Sequence, residues 1–338
     1  MYYKWSYVWV VNAEETKILP GEMPEALFQN VCNGNIQGRG SKNVNKPQSK
    51  CHFVHHFNPF LIIGPFHIEV KFYKPFRTII HDFFTEKEMD WMKKFSKPQL
   101  TASREGTIPE STKVLSKSDL RYGGSAGVTV SKAVTVWFED VIFNEQEVYY
   151  KISAEGEPLE YEIPPLKDPY SYTIQYQTMR EVSKKIELAT NFNVTSRHGA
   201  SKYQSTNYGL SGMVTMHMDP WGYEGGVPIP EDRLTLYQTG DYIATFMGWF
   251  EDTPAGGGTA FMKKDFEGAV MPTKGSAAFW MNLSSCHQKD YRAWHAGCPV
   301  LKGSKWILNK WIFSWDQWKG WPCVKERLTI HPFEGMSS

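Results

Sequence analysis

A chain of 338 residues, 41% hydrophobic and 22% charged, has the composition of a globular protein long enough for one large β core with attached helices. Its 37 Lys and Arg against 36 Asp and Glu leave a formal net charge of +1, and no basic run stands out, which argues against nucleic acid as a partner. No stretch of about 18 apolar residues occurs, so no membrane span is expected. The apolar start Met1–Val11 is short and lacks a small-residue cleavage site, so it is not read as a signal peptide.

Residues 1–75 show no clear periodicity and read as a lead-in, with the polar stretch 34–50 as a loop between Cys32 and Cys51. The first firm element opens at Thr85, whose side chain can exchange hydrogen bonds with Glu88 as a capping box, with Phe84 and Met89 in the flanking apolar positions. This helix carries Met89, Met92 and Phe95 on one face and stops before Pro98. Residues 144–168 contain several Glu and Pro and read as a surface insertion. A second helix is expected over 174–192, where Met179, Val182, Ile186 and Ala189 recur at spacings of three and four. Asn193 to Thr195 is a glycosylation sequon directly after it.

From Ser211 onward the pattern changes to short strands punctuated by Gly and Pro. They are expected at 213–219, 234–237, 242–250, 259–262, 269–271, 277–283, 292–300 and 306–315. Such spacing predicts a mainly β protein with flanking helices, α+β overall, built on a sandwich or jelly roll.

Cys32, Cys51, Cys286, Cys298 and Cys323 contain no C-x-x-C pair. Two disulfides with one free thiol would suit a secretory protein and five scattered thiols a cytosolic one; spacing does not choose.

Chemistry enters at His217 and Asp219. Residues i and i+2 of a strand face the same way, so one imidazole and one carboxylate project together. One further His would complete a facial triad, which leaves coordination positions open on a bound iron. A lone His-x-Asp pair is also common on ordinary surfaces. His52, His55 and His56 read as solvated or packing residues. Composition favours His295, inside a strand-like run with Ala296 and Gly297, over His287 in a polar loop. Lys305 opens a strongly apolar run. Pointing inward it would need an anion, and a dicarboxylate would supply one; otherwise it is a strand-entrance Lys with its head in water. Ala255 to Thr259 carries three Gly without a following Gly-Lys, so it is a turn or bulge and no phosphate loop.

The order of segments resembles the catalytic domain of the prolyl 4-hydroxylase α subunits, which are 2-oxoglutarate dioxygenases. The matching stretches include Asn207-Tyr208-Gly209, His217 with Asp219, Ile243-Ala244-Thr245, Lys274 to Trp280, His295 to Leu301, Lys305-Trp306 and Trp321-Pro322-Cys323. The resemblance implies a double-stranded β-helix, cupin-like, over 76–325, with 326–338 as a tail. It implies His217, Asp219 and His295 as ligands of Fe(II), and Lys305 as partner of the distal carboxylate of 2-oxoglutarate. Thr245 and Tyr208 would line that pocket, and Trp280 would form a dry wall. It also implies disulfides Cys32–Cys51 and Cys298–Cys323, an endoplasmic reticulum lumen address, L-ascorbate as a further cofactor, and protein disulfide isomerase as a partner. The activity implied is hydroxylation of peptidyl proline to 4-hydroxyproline in Pro-rich or collagen-like polypeptides. A related dioxygenase with another peptidyl substrate and a non-catalytic jelly-roll binding protein are the alternatives. Val214, Tyr242, Trp249, Met281 and Trp294 depart from the family pattern, which points to an altered substrate groove around retained anchors.

Overall fold

The structure of the chain, a computed structural model, describes residue 32 and residues 50–102, 131–138, 149–152, 158–161, 169–220, 240–284, 287–317 and 319–321, apart from 57, 74, 197 and 264–265. The first strands are β1 (Lys50–Val54), β2 (Phe66–Tyr73), β3 (Phe76–His81), β4 (Thr101–Ala102), β5 (Ser131–Lys132), β6 (Val134–Phe138), β7 (Tyr149–Ile152) and β8 (Pro158–Tyr161). Then follow β9 (Tyr203–Tyr208), β10 (Met213–His217), β11 (Tyr242–Trp249), β12 (Ala255–Gly256), β13 (Thr259–Lys263), β14 (Phe266–Val270), β15 (Ala277–Met281), β16 (His295–Gly297), β17 (Val300–Lys302) and β18 (Lys305–Phe313). Among the described residues they are joined by α1 (Pro59–Ile63), α2 (Glu86–Ser96) and α3 (Pro169–Thr190).

The strands form a nine-stranded sheet, β1-β2-β3-β15-β11-β18-β9-β6-β4, and a five-stranded one, β14-β13-β16-β10-β5, both antiparallel, with two small pairs, β12-β17 and β7-β8. This is the expected mainly β jelly-roll core with flanking helices. β7 and β8 fall in the segment 144–168 and make their own hairpin. No break falls at residue 75, since β2 and β3 on either side of it pair directly.

The central strands of the large sheet are apolar on both faces, and the period of two decides what each face meets. On β11, Ala244 and Phe246 join a core with Met89 and Met92 of α2 and Met179, Val182 and Ile186 of α3. Their neighbours Met247 and Trp249 join a second core with Val214 and Phe261 of the small sheet. β15 divides the same way, Phe279 toward the helices and Trp280 toward the small sheet. Gly248 is required by this packing, because a Cβ there would meet the Phe84 ring at 2.2 Å.

α2 begins where Thr85 predicted it. The Thr85 hydroxyl accepts from the Glu88 N–H at 3.3 Å, and the Thr85 N–H donates to the Glu88 carboxylate at 2.8 Å. Lys185 of α3 adds an ion pair to Glu88 at 2.9 Å, tying the two helices together. Thr85→Ala should therefore lower the unfolding free energy by about 1 kcal/mol, read from a denaturant titration. α3 starts five residues earlier than periodicity suggested, and the predicted strand at 234–237 lies outside the described residues.

Two expected strands are shorter than their sequence pattern suggests. The strand over 213–219 ends at His217, and the chain bends at Asp219 ahead of Pro220. The strand over 292–300 resolves into a 3₁₀ turn at Tyr291–Ala293, then β16, then β17, with Pro299 at the break.

The expected disulfides are corrected. Cys32 bonds to Cys298, with Cα atoms 5.4 Å apart and a sequence separation of 266, so neither Cys32–Cys51 nor Cys298–Cys323 forms. Cys51 is an exposed free thiol on β1, the outer edge of the large sheet, whereas Cys298 follows β16 in the small sheet and packs with Cys32 and Ala260. Cys286 and Cys323 lie outside the described residues. Among the described residues, no helix is long and apolar enough to cross a membrane.

Candidate functional site

β10 and β16 are neighbours in the small sheet, and His217 stands opposite His295 in the register. A bulge between Val214 and His217 re-aims the end of β10. Gly297 makes the close approach possible, since a Cβ there would lie 2.9 Å from Val214 Cγ1. The two imidazoles are 4.3 Å apart between centroids. Asp219, in the bend after β10, turns back so that Oδ1 lies 3.7 Å from Nε2 of each His. One ligand atom from each of the three residues falls within 4.8 Å of the others.

Hydrogen bonds fix which atoms face this centre. His295 Nδ1 lies 3.0 Å from the Ala293 carbonyl, which can only accept, so the proton sits on Nδ1 and the Nε2 lone pair is left toward Asp219. Burial pushes the His295 imidazolium down to about 4, Asp219 opposing the shift, so the ring is neutral near pH 7 and suited to a metal. Thr245 of β11 donates from Oγ1 to Asp219 Oδ2 at 2.5 Å and accepts from Asn282 Nδ2 at 2.7 Å. That relay occupies Oδ2 and leaves Oδ1 toward the two His. A donor set of two imidazole nitrogens and one carboxylate oxygen, with His295 buried and His217 and Asp219 partly so, fits a non-haem iron with open positions.

Thr245→Val keeps the shape and removes the relay, leaving Asn282 Nδ2 and Asp219 Oδ2 without this partner. We expect Fe(II) or Co(II) affinity to fall about 10–100-fold, measured by direct metal titration.

The same cavity is lined by Tyr208, Thr245, Met247, Thr259, Trp280 and Lys305. Lys305 is 2% exposed. Its Nζ donates to Thr259 Oγ1 at 3.1 Å and lies 5.6 Å from the centre of the Tyr208 ring. Among the described residues no carboxylate is within ion-pair distance of it, and burial alone pushes the ammonium down to about 7. A buried cation with hydroxyl and aromatic neighbours fits an incoming carboxylate. Trp280 stands edge-on to His295 at 5.0 Å and to Phe261 at 5.3 Å. Behind it Arg77, its register partner on β3, lies 4.0 Å from the Phe261 ring, and its Nη2 donates to the Arg292 carbonyl.

The residues expected at the site, His217, Asp219, His295, Lys305, Thr245, Tyr208 and Trp280, are thus brought to one cavity. Thr245 differs in detail: it serves Asp219, and Thr259 takes the place beside Lys305. Thr259 and Asn282 were missed by sequence reasoning. Thr259 had one available signal, its position at the head of a strand after three Gly. His287 is elsewhere, with a ring nitrogen 3.0 Å from the Trp321 carbonyl. Of the departures from the family pattern, Val214 lines the cavity and Tyr242 stands among the aromatic rings beside it, while Trp249 and Met281 are core packing.

Comparison with known proteins agrees with this geometry. The family described as the 2OG-Fe(II) oxygenase superfamily matches residues 203–313, a span that holds every one of these cavity residues. The chain is 28% identical over 294 residues to prolyl 4-hydroxylase subunit alpha-2 of Gallus gallus, covering 86% of this chain and 44% of that protein. It is 28% identical over 295 residues to subunit alpha-1 of Homo sapiens, covering 86% and 45%, and 26% identical over 313 residues to subunit alpha-3 of Mus musculus, covering 92% and 47%. The chain therefore spans less than half the length of these relatives. Among solved structures it is similar to a viral collagen prolyl hydroxylase from Paramecium Bursaria Chlorella virus-1, with TM-score 0.38, 18% identity, and coverage of 70% of this chain and 95% of that one. These similarities support a prolyl 4-hydroxylase-like catalytic domain in this chain.

Proposed function

We propose that this chain is an Fe(II)- and 2-oxoglutarate-dependent dioxygenase that converts peptidyl proline to 4-hydroxyproline. The observation that carries the reading is the convergence of His217, Asp219 and His295 within 4.8 Å, in one cavity with the buried Lys305. In this reading the Nε2 atoms of both His and Oδ1 of Asp219 hold the metal. When bound, Fe(II) supplies O₂ activation coupled to oxidative decarboxylation of 2-oxoglutarate; one oxygen atom ends in succinate and the other in the hydroxylated product.

The chain's own residues bind, orient and exclude. Lys305 and Thr259 receive the distal carboxylate, and the charge pairing offsets the desolvation that burial imposes on the ammonium. Thr245 and Asn282 hold Asp219 so that a single oxygen faces the ligand cluster. Val214, Met247, Trp280 and Ile307 make the surrounding wall apolar and keep water from the reacting C–H.

The wider proposal follows the relatives. The substrate is a Pro-rich or collagen-like polypeptide, L-ascorbate keeps the iron ferrous, and the protein works in the endoplasmic reticulum lumen with protein disulfide isomerase as partner. The Cys32–Cys298 disulfide supports an oxidising compartment.

Incubation with Fe(II), 2-oxoglutarate, ascorbate and a Pro-rich peptide tests it. The expected products are succinate and a peptide heavier by one oxygen, with 4-hydroxyproline found after acid hydrolysis. Hydroxylation confined to another side chain would overturn the assignment of proline.

A further inference from the structure

The carbonyl that fixes the His295 ring belongs to the 3₁₀ turn Tyr291–Ala293, and a turn this short cannot satisfy its own ends. Two buried charged residues hold it. At its start Asp290, 8% exposed, accepts from the Arg292 N–H at 3.0 Å through Oδ1. The Arg292 guanidinium donates to the same carboxylate, from Nε to Oδ1 at 2.7 Å and from Nη2 to Oδ2 at 2.5 Å. The Asp290 N–H donates to the Asn282 carbonyl at 3.0 Å, which ties the turn to the residue that also supports Thr245 and Asp219. Near its end the Arg292 carbonyl accepts from Nη2 of Arg77, which reaches across from β3. The Arg77 guanidinium also lies over the Phe261 ring at 4.0 Å. Phe261 stands opposite His295 in the register, with ring centres 5.7 Å apart.

We propose that Arg77 and Asp290 are positioning residues for His295, clamping the turn from both ends so that the Ala293 carbonyl holds the imidazole with Nε2 toward the ligand cluster. The inference rests on the iron-site reading and adds to it two residues outside both the ligand cluster and the cavity wall. A packing role alone does not account for Arg77. Burial lowers its guanidinium from the ordinary range to about 9, with Asp290 opposing the shift and Arg292 adding to it. An apolar side chain of similar volume would fill the space without that cost, and such replacements are often neutral or stabilising. An apolar side chain cannot donate to the Arg292 carbonyl. Arg77 therefore reaches His295 by two routes, through the turn that carries its acceptor and through the Phe261 ring beside it. Movement of either would turn the imidazole, and a metal ligand has to be held within about 0.5 Å of its productive place.

The test is an anaerobic Co(II) titration of the metal-free chain, followed by the visible ligand-field bands that report ligand geometry. The wild type should bind one Co(II). Arg77→Met keeps much of the bulk and removes the donor. Its Co(II) affinity should fall about 10–100-fold, the range for losing an outer partner of a ligating residue, and its bands should shift. Arg77→Lys can still donate to the Arg292 carbonyl and lie over Phe261, so it should restore most of the affinity and the wild-type bands. Asp290→Ala should weaken Co(II) in the same range from the other end of the turn, and it carries the test if Arg77→Met does not fold. Val182→Ala, in the helix-side core, lowers stability alone and should bind Co(II) as the wild type does. Unchanged affinity and bands in folded Arg77→Met or Asp290→Ala, or an equal loss in Val182→Ala, overturns the positioning role and leaves the iron-site reading intact. No Co(II) uptake by the folded wild type would instead sink that reading.

Discussion

Replacing His295 with alanine is expected to remove metal binding and turnover together. His295 is 5% exposed, and its Nδ1 is committed to the Ala293 carbonyl, so Nε2 is the atom it offers to the centre. With it gone, His217 and Asp219 keep only two donor atoms, and metal affinity should fall by at least ~100-fold, more than for loss of an outer hydrogen-bond partner. The ring also packs against Trp280 and Phe261 at 5.0 and 5.7 Å, so alanine leaves a cavity as well. His295→Gln fills more of that space and separates the two effects. If both variants fold, both should lose metal in an anaerobic Fe(II) titration. Retention of wild-type affinity in folded His295→Gln would remove His295 from the ligand set.

The second large effect is at Lys305. Lys305→Ala should weaken 2-oxoglutarate binding by about 2–5 kcal/mol, the range for truncating one partner of a buried charge pair. That is roughly a 30-fold to several-thousand-fold rise in Kd. The pH dependence has a definite sign. Burial lowers the ammonium from its ordinary range to about 7. The unfolded chain keeps that proton up to about pH 10.4, so the unfolded state binds more protons between the two values. The unliganded fold therefore gains stability as pH rises through that window, and carries the desolvation cost in full below it. Binding a dicarboxylate requires the charged form. Its affinity should be flat below about pH 7 and weaken about tenfold per pH unit above it, with uptake of one proton. Calorimetric titration over roughly pH 6–9 in buffers of different ionisation enthalpy reads both quantities, and Lys305→Met should lack this slope.

The local parts of this structure were legible in the sequence. α2 begins at Thr85 because the capping exchange with Glu88 involves residues three apart, and Met89 and Met92 point inward as their spacing says. The strands around the site were legible because an apolar run bounded by Gly and Pro leaves few alternatives. What depends on register was not. His217 and Asp219 do converge, but the reason expected for it was incomplete. β10 stops at His217, and Asp219 reaches the centre from a bend, held by Thr245 from 26 residues away. His295 could be favoured over His287 only by its neighbours, since its pairing with His217 comes from β10 lying beside β16. Thr259 looked like any residue after a Gly turn until the fold set it against Lys305, 46 residues on.

The cysteines make the same point most sharply. Cys32 and Cys51 flank an apparent loop, and the family resemblance implied a bridge across it. The partner of Cys32 is instead Cys298, beside the strand that carries His295. Among five cysteines, pairing is a tertiary property. The stacking of Trp137 on Trp311 and of Tyr242 on Phe313 is likewise invisible in one dimension, because the partners are far apart in sequence.

The central claim is that one cavity holds both a three-ligand iron centre and a carboxylate-binding lysine. Anaerobic calorimetric titration of 2-oxoglutarate into the wild-type chain, with and without one equivalent of Fe(II), tests it most directly. The account predicts one metal bound per chain and a 2-oxoglutarate affinity that rises by orders of magnitude when the metal is present. A chain that takes up no iron, or that binds 2-oxoglutarate equally well with and without it, would contradict the account.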